Sequence, residues 1–270
     1  MYYILISGPA GSGKSTLVKS LGEWMEDHQM DVVRVNFDPA AEVLPYTPDV
    51  DVRRYVNARD LMIKHGLGPN GAMIASVDYL VNYVADLRNE VEELRANYAL
   101  VDLPGQLEVI AFRRLGPIII KELVRGYKSA MVFLVDVRLA TEMTSALSIT
   151  LLALSTLYRL ELPLTLALNK IDLITADLAN PNELFTTLKN SVNLMKLLED
   201  THSCAELTLS TVFVDPEISE NLCRVVKNAF SEVIPLSAKE GYGIDSLYAA
   251  TQRVLAGGED FLTEEPSGFY

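Results

Sequence analysis

Residues 2–16, with the sequence YYILISGPAGSGKST, decide the fold of this chain. Residues 2–7 form a short run of aromatic, β-branched and leucine side chains, which is typical of a buried strand. The pattern Gly-x4-Gly-Lys-Ser follows at once, and residues 16–25 show the apolar spacing of a helix. This order predicts a phosphate-binding loop, because the loop amides and the helix N-terminus converge on an anion.

The loop offers a ligand for each part of a metal-bound polyphosphate. Lys14 can reach the β and γ phosphates, and the Ser15 hydroxyl can coordinate Mg²⁺. A plain glycine-rich turn before a helix is the weaker interpretation, since the full pattern stands in the required context. The loop residues predicted to contact a nucleotide are Gly8, Gly11, Ser12, Gly13, Lys14, Ser15 and Thr16.

The composition of the chain limits the number of domains it can form and the classes of molecule it can bind. With 270 residues, 49% of them hydrophobic, the chain can form one large α/β domain. A net charge of −13 argues against general binding to nucleic acids or anionic membranes. The longest uncharged stretch, residues 143–158, is shorter than the roughly 20 residues of a membrane span, and no leader pattern precedes the loop, so we expect a cytoplasmic protein. Cys204 and Cys223 lack zinc-site spacing and are expected to be buried free thiols.

The second predicted strand, residues 31–37, ends at Asp38-Pro39. The carboxyl ends of parallel strands share one edge of a sheet, so Asp38 is expected on the side of the phosphate loop. There its carboxylate can hold a metal-bound water or position an attacking one. An Asp-Pro turn explains this fragment equally well when it is taken alone.

A third predicted strand runs into DLPGQLE at residues 102–108. Asp102 is well placed to bind Mg²⁺ through water, and Gly105 can offer its N–H to a γ-phosphate. Gln106 and Glu108 are then available to orient the attacking water. Asp-x-x-Gly is a weak signal alone, but downstream of a phosphate loop it becomes convincing.

The sequence NKID at residues 169–172 follows a predicted strand and suits recognition of guanine. The Asp172 carboxylate can accept hydrogen bonds from the ring N1–H and the exocyclic amine, while the Lys170 stem packs over the base. Adenine lacks both donors and would leave a buried carboxylate unpaired. A last strand at residues 232–236 leads to Ser-Ala-Lys, whose backbone can meet guanine O6. The base-binding residues predicted are Asn169, Lys170, Asp172, Ser237, Ala238 and Lys239.

Alternation of strands and helices predicts an α/β fold with a doubly wound, mainly parallel sheet flanked by helices. A helix predicted at residues 77–95 precedes the strand that ends in Asp102, so this strand should lie parallel to its neighbours. Small signalling GTPases have an antiparallel hairpin at this point, which sets the chain apart from the Ras-like branch. Other predictions are a loop at residues 46–51, a helix at 57–65, a turn at 66–72, and helices at 112–127 (broken or kinked at Gly116-Pro117) and 182–199.

The chain resembles the GPN-loop GTPases of the SIMIBI class of P-loop GTPases, and among them the archaeal-type homodimeric members. The resemblance covers almost the whole chain, although the family often has Thr where this chain has Leu103. Its motifs are the phosphate loop at residues 8–15, Asp38-Pro39-Ala40, Gly68-Pro69-Asn70, residues 102–108 and residues 169–172.

This resemblance implies a G domain that binds GTP and GDP with Mg²⁺ and hydrolyses GTP. In the family the Gly-Pro-Asn loop is the defining insertion and reaches across a dimer to the partner's nucleotide. Gly68, Pro69 and Asn70 would therefore bind the γ-phosphate region in trans and close the site against water. The implied catalytic residues are Lys14, Asp38, Asn70, Gln106 and Glu108. The implied Mg²⁺ ligands are Ser15, Asp38 and Asp102.

We expect one GTPase domain over residues 1–256, followed by an acidic mobile tail at 257–270. The GPN insertion would lie at about residues 57–75 and helical additions at about 107–128 and 180–231.

Other functions compete with a self-activating homodimeric GTPase. A slow GTP-dependent assembly factor would need another molecule for hydrolysis. Eukaryotic relatives are linked to assembly of RNA polymerase, so a client complex such as RNA polymerase machinery is an implied partner, and a heterodimer stays open. A P-loop small-molecule or polynucleotide kinase would use ATP, against which the two base-binding motifs argue. A metallochaperone GTPase would need clustered ligands, whereas His28, His65 and His202 do not cluster with cysteine at ligand spacing.

Overall fold

The computed structural model describes residues 1–175, 179–199 and 215–255, in which seven strands form one parallel sheet. The strands are β1 Tyr2–Ser7, β2 Val32–Asn36, β3 Val50–Asp51, β4 Tyr98–Asp102, β5 Lys128–Asp136, β6 Leu164–Asn169 and β7 Ile234–Pro235. Their order across the sheet is β3-β2-β4-β1-β5-β6-β7. The predicted doubly wound parallel fold is confirmed, because β2, β3 and β4 lie on one side of β1 and β5, β6 and β7 on the other, all parallel.

Helices connect the strands. They are α1 Lys14–Asp27, α2 Ala58–His65, α3 Pro69–Leu80, α4 Val84–Glu93, α5 Leu115–Leu123, α6 Val137–Ala140, α7 Met143–Leu160, α8 Pro181–Ser191, α9 Asn193–Glu199, α10 Pro216–Ala229 and α11 Ile244–Leu255. Single turns of 3₁₀ helix cover Val52–Arg54 and Ile171–Leu173, and a π turn covers Glu108–Phe112.

The core lies on both faces of β1. Ile4 and Ile6 belong to a cluster with residues of α1 and α11. Tyr3 and Leu5, which point the other way, belong to a cluster with residues of α3, α4 and α5. Burial on both faces explains why this strand is apolar without interruption.

The segment at residues 66–72, predicted as a turn, contains the start of a helix. Gly66 ends α2 in the left-handed region, with φ of 63°. Gly68 is then the N-cap of α3 and Pro69 its first residue. Proline suits this position because its φ is already helical and its missing N–H would have no intrahelical partner. The Gly-Pro-Asn tripeptide therefore forms the corner of a helical hairpin.

The helix predicted at residues 77–95 is interrupted. The Asn82 side chain donates to the Tyr79 carbonyl oxygen at 3.3 Å, and the Asn82 N–H donates to the same atom at 3.1 Å, which ends α3. The helix predicted at residues 182–199 is similarly divided at Val192, which leaves the helical conformation and is fully buried.

Three further local predictions were wrong in whole or in part. Within residues 46–51, Val50–Asp51 pair with β2 as an edge strand instead of forming only a loop. The helix predicted at residues 112–127 is broken as expected, but the break lies at Arg113–Arg114, and Gly116-Pro117 lies in the first turn of α5, where proline is tolerated. Cys223 is disulfide-bonded and not a free thiol. Cys204 and the tail predicted at residues 257–270 lie outside the described residues.

Among the described residues, α7 is the helix whose 18 residues and mean hydropathy of 1.2 would allow a membrane span by length and composition. Its inner face contributes Ala146, Ile149 and Ala153 to a cluster with Phe133 of β5 and Leu166 of β6. In this structure α7 is therefore a core helix.

Candidate functional site

The loop after β1 follows a path that only glycine allows at two points. Gly8 has φ of 139°, and a Cβ there would lie 2.6 Å from the Leu134 carbonyl oxygen of β5. Gly13 has φ of 98°, and a Cβ there would overlap the Asn169 side chain. Gly13 is also the N-cap of α1 and has no side chain to cap it. The first N–H groups of α1 are therefore left for an anion.

Lys14 lies within its own loop. Its side chain is nearly buried, and its ammonium donates to the carbonyl oxygens of Gly8 and Pro9, each at 3.1 Å. Burial lowers the pKa of Lys14, while the charges of Asp102 and Asp38 oppose this shift. A phosphate group can replace the two carbonyl oxygens as the partner of the ammonium.

Asp102, at the end of β4, is only 2% exposed. It accepts hydrogen bonds from the Ser15 side chain and from the Tyr46 hydroxyl, the latter at 3.1 Å. Burial raises the pKa of Asp102 to about 6, although these hydrogen bonds and the Lys14 charge oppose the rise. Ser15 and Asp102 thus form an adjoining pair of hard oxygen donors, which is the ligand type that Mg²⁺ prefers.

Asp38 lies beside the same site and joins two loops. Its carboxylate accepts hydrogen bonds from the Ala40 N–H at 2.9 Å and from the Gly105 N–H. Burial raises the pKa of Asp38, and the two N–H groups and the Lys14 charge oppose that rise. The loops after β2 and after β4, which were both predicted to lie on the ligand side of the sheet, are therefore bonded to each other in this structure.

Sequence reasoning missed the residues that support Asp38. The fully buried Asn36 accepts from the Asp38 N–H at 3.1 Å and donates to Asp51 at 2.9 Å. Arg53 pairs with Asp51 at 2.6 Å and donates to the Ala41 carbonyl oxygen at 2.9 Å. An amide at the end of an otherwise apolar strand was the available signal for Asn36. Asp51 lies only two residues before Arg53, but nothing in the sequence placed this pair beside Asn36 and Ala41, which it meets only through the edge strand β3.

The predicted base-binding residues meet at the carboxyl ends of β6 and β7. Asn169 donates to the Ser12 carbonyl oxygen at 2.8 Å and accepts from the Ala238 N–H at 3.0 Å. The Ser237 hydroxyl donates to Asp172 at 2.6 Å and so orients that carboxylate. The pocket that results has a volume of about 250 Å³ and is lined by Gly13, Thr16, Asn169, Lys170, Asp172, Leu173, Ala238 and Lys239.

Lys170 has a second partner that sequence reasoning did not single out. Its ammonium donates to the Gly11 carbonyl oxygen at 2.5 Å and to Asp136 at 2.8 Å. Asp136 ends β5, the strand between β1 and β6. The phosphate loop and the base pocket are thus connected through a third strand end.

Asn70, Gln106 and Glu108 line one cleft of about 340 Å³, together with Ile74, Val109 and Arg113. Asn70 lies in the first turn of α3, and Glu108 opens the π turn that follows β4. Three of the predicted catalytic residues therefore meet within one chain. Pro69 instead lines a separate cavity of about 620 Å³ with Pro39, Ala40 and Arg53, while Gly68 caps α3.

Known proteins share this architecture. A family described as "Conserved hypothetical ATP binding protein" matches residues 6–257. GPN-loop GTPase 3 of Dictyostelium discoideum is 34% identical, over 97% of this chain and 90% of that protein. GPN-loop GTPase 1 of the same organism is 29% identical, over 91% of this chain, which spans only 59% of that longer relative.

A solved structure agrees with the sequence relatives. The crystal structure of a GTPase in apo form from Pyrococcus abyssi superposes with a TM-score of 0.77 at 26% identity, covering 94% of this chain and 97% of that one. Because the family match and the 34% identical relative each extend over nearly the whole chain, this protein belongs to the GPN-loop GTPase family.

Proposed function

We propose that this chain binds GTP and hydrolyses it to GDP and phosphate. The observation that carries the proposal is the pocket in which Asp172 lies beside Lys170, against Gly13 and Thr16 of the phosphate loop. A carboxylate at this position accepts both hydrogen bonds that guanine offers, whereas adenine offers neither. The pocket therefore favours GTP over the ATP that the family description mentions.

The residues around Lys14 fit a Mg²⁺-bound triphosphate. Ser12 Oγ is buried without a hydrogen-bond partner among the described residues, and a phosphate oxygen can accept from it. Ser15 and Asp102 would hold the Mg²⁺, and Asp38 would contribute to the same metal site. Bound there, Mg²⁺ would neutralise the negative charge that develops on the phosphate oxygens during hydrolysis.

Hydrolysis also requires a positioned water. Gln106 and Glu108 lie in the cleft with Asn70. A Cβ on Gly105 would lie 3.3 Å from the Lys14 ammonium, so the residue next to Gln106 adjoins the phosphate-binding lysine. We propose that Gln106 and Glu108 orient the water and that Asp38 assists as a base or at the metal.

The family resemblance supports a dimer as the active form. We propose that residues 1–256 form one GTPase domain whose insertion, at about residues 57–75, carries Gly68, Pro69 and Asn70 to the partner's γ-phosphate. The same resemblance supports a cytoplasmic switch that helps to assemble a larger protein complex, of which RNA polymerase machinery is the candidate client.

The experiment that tests the nucleotide assignment compares wild type with Asp172→Asn in binding and single-turnover hydrolysis of GTP, XTP and ATP. Wild type should prefer GTP to ATP by about 10⁴. The new amide donates where guanine also donates, so Asp172→Asn should lower GTP affinity on the order of 100-fold and favour XTP. Asp27→Asn, an exposed change at the end of α1, is the matched control and should behave as wild type.

Retained GTP selectivity in Asp172→Asn would remove this carboxylate from base recognition. Preference of wild type for ATP, with transfer of phosphate to a small molecule or polynucleotide, would instead favour a kinase.

A further inference from the structure

The carboxylate of Asp136 holds the lysine of the base pocket. Asp136 Oδ2 accepts from the Lys170 ammonium at 2.8 Å, and the side chain of Asp136 is only 8% exposed. The same ammonium donates to the Gly11 carbonyl oxygen at 2.5 Å. The end of the Lys170 side chain is therefore fixed at two points, one on β5 and one on the phosphate loop.

The rest of Lys170 is fixed as well. Its backbone is in the left-handed region, with φ of 68°, which is uncommon for a residue with a side chain. The Asn169 side chain accepts from the Lys170 N–H at 2.8 Å and stabilises this conformation. With both ends held, the aliphatic stem of Lys170 must cross the wall of the base pocket, where it lines the space next to Thr16 and Asp172.

We propose that Asp136 is a positioning residue that holds Lys170 against the nucleotide base and thereby slows nucleotide release. This inference rests on the proposed binding of GTP. Asp136 acts through Lys170 and does not itself touch the base, so it affects affinity without affecting the choice between guanine and other purines.

Asp136 also stabilises the local fold, and the test must distinguish this structural role from its effect on Lys170. Its Oδ1 accepts from the Arg138 N–H at 3.0 Å and so caps α6. The exposed guanidinium of Arg138 pairs with the Asp136 carboxylate from the solvent side, at 2.5 Å. Burial raises the pKa of Asp136, but the hydrogen bonds from Arg138 and Lys170 outweigh it and hold the pKa below its usual range. The carboxylate is therefore charged when it meets Lys170.

Asp136→Asn separates the two tasks, because asparagine caps a helix about as well as aspartate but carries no charge. We expect the dissociation rate of fluorescent GDP, measured by stopped flow, to rise about tenfold, as loss of a charge-assisted hydrogen bond predicts. The ratio of GTP to ITP affinity should stay at the wild-type value. Arg138→Gln, which removes the other cation on Asp136, should change the rate less than about twofold.

A double-mutant cycle with Lys170→Met tests whether Asp136 acts through the lysine. Adding Asp136→Asn to Lys170→Met should have little further effect on GDP release. Full additivity of the two effects, or an unchanged rate in Asp136→Asn, would overturn the inference. If circular dichroism shows that Asp136→Asn does not fold, Asp136→Glu, which keeps the charge and displaces it, takes its place in the cycle. Failure of wild type to bind guanine nucleotides would refute the proposed function and is visible before any variant is made.

Discussion

At the scale of single residues, the buried carboxylate of Asp102 should make the nucleotide-free protein more stable at mildly acidic pH. The pKa of Asp102 is raised from 3.8 to about 6 by burial. A carboxyl with a raised pKa contributes stability that is fully present below its unfolded pKa and is lost as the pH rises through the folded one. In EDTA, thermal unfolding should occur at a higher temperature at pH 5 than at pH 7.5. Asp102→Asn, which mimics the neutral acid, should remove most of this difference.

The comparison between wild type and Asp102→Asn isolates the contribution of Asp102 to the pH dependence of stability. Asp38, whose pKa burial also raises, adds a smaller dependence of the same sign in both proteins. Asp51 and Asp136 have lowered pKa values, so their contribution is lost only in more acidic solution, below the range compared. Equal pH dependence in the two proteins would mean that Asp102 is solvated in solution.

Single residues were predictable where they follow a strand. Asp38, Asp102 and Asn169 each end an apolar run, and in a parallel sheet all such ends meet at one edge. Tyr46 was not predictable in this way, and although Asp136 also ends an apolar strand, its pairing with Lys170 was not predictable. Tyr46 meets Asp102 across 56 residues of sequence and Asp136 meets Lys170 across 34. Only the finished fold brings these partners together.

At the scale of elements, the contact between α5 and the π turn should control the position of Glu108. A Cβ on Gly116 would overlap the Ile110 carbonyl group. Gly116→Ala must therefore push the turn away from α5, and we expect the free energy of unfolding to fall by about 1–3 kcal/mol. Because Glu108 begins this turn, single-turnover hydrolysis of GTP should slow while GDP affinity is kept. Denaturant titration and rapid-quench kinetics measure the two effects.

The matched change is Gly71→Ala in α3. A Cβ on Gly71 would meet only the Leu67 side chain, at 3.8 Å, so alanine should stabilise the helix by about 0.5–1 kcal/mol. Hydrolysis at the wild-type rate in a destabilised Gly116→Ala would show that the turn does not position Glu108.

Elements with a continuous pattern were predicted well, and their ends less well. The strands other than β3, together with α1, have one dominant signal, which is apolar spacing. At Pro69 two signals conflict, since proline and glycine mark turns but proline also favours the first helical position. The sequence pattern alone does not decide whether Pro69 lies in a turn or begins a helix. The structure shows the start of a helix, because Gly66 ends α2 and Gly68 caps α3.

At the scale of the whole molecule, mixing two inactive variants tests whether the GPN loop acts in trans. Lys14→Ala removes the phosphate lysine and Asn70→Ala removes the loop side chain. In a mixed dimer, the phosphate loop of the Asn70→Ala subunit would receive an intact loop from its partner. Random pairing in a 1:1 mixture should restore about a quarter of the wild-type rate.

The cleft that Asn70 shares with Gln106 and Glu108 of its own chain makes this test necessary. Activity that stays at the level of the separate variants after mixing would mean that Asn70 serves its own subunit. Dilution of wild type provides the control, because the rate per subunit should fall with dilution if pairing completes the site.

The side chain of Asn169 has a consequence for synthesis of the protein. It bonds to Ser12, 157 residues earlier in the chain, and to Ala238, 69 residues later. The ribosome therefore releases the phosphate loop long before the last wall of the base pocket exists. A nascent chain that stops short of Lys239 lacks this wall, and tight capture of nucleotide becomes a sign that translation has passed Lys239.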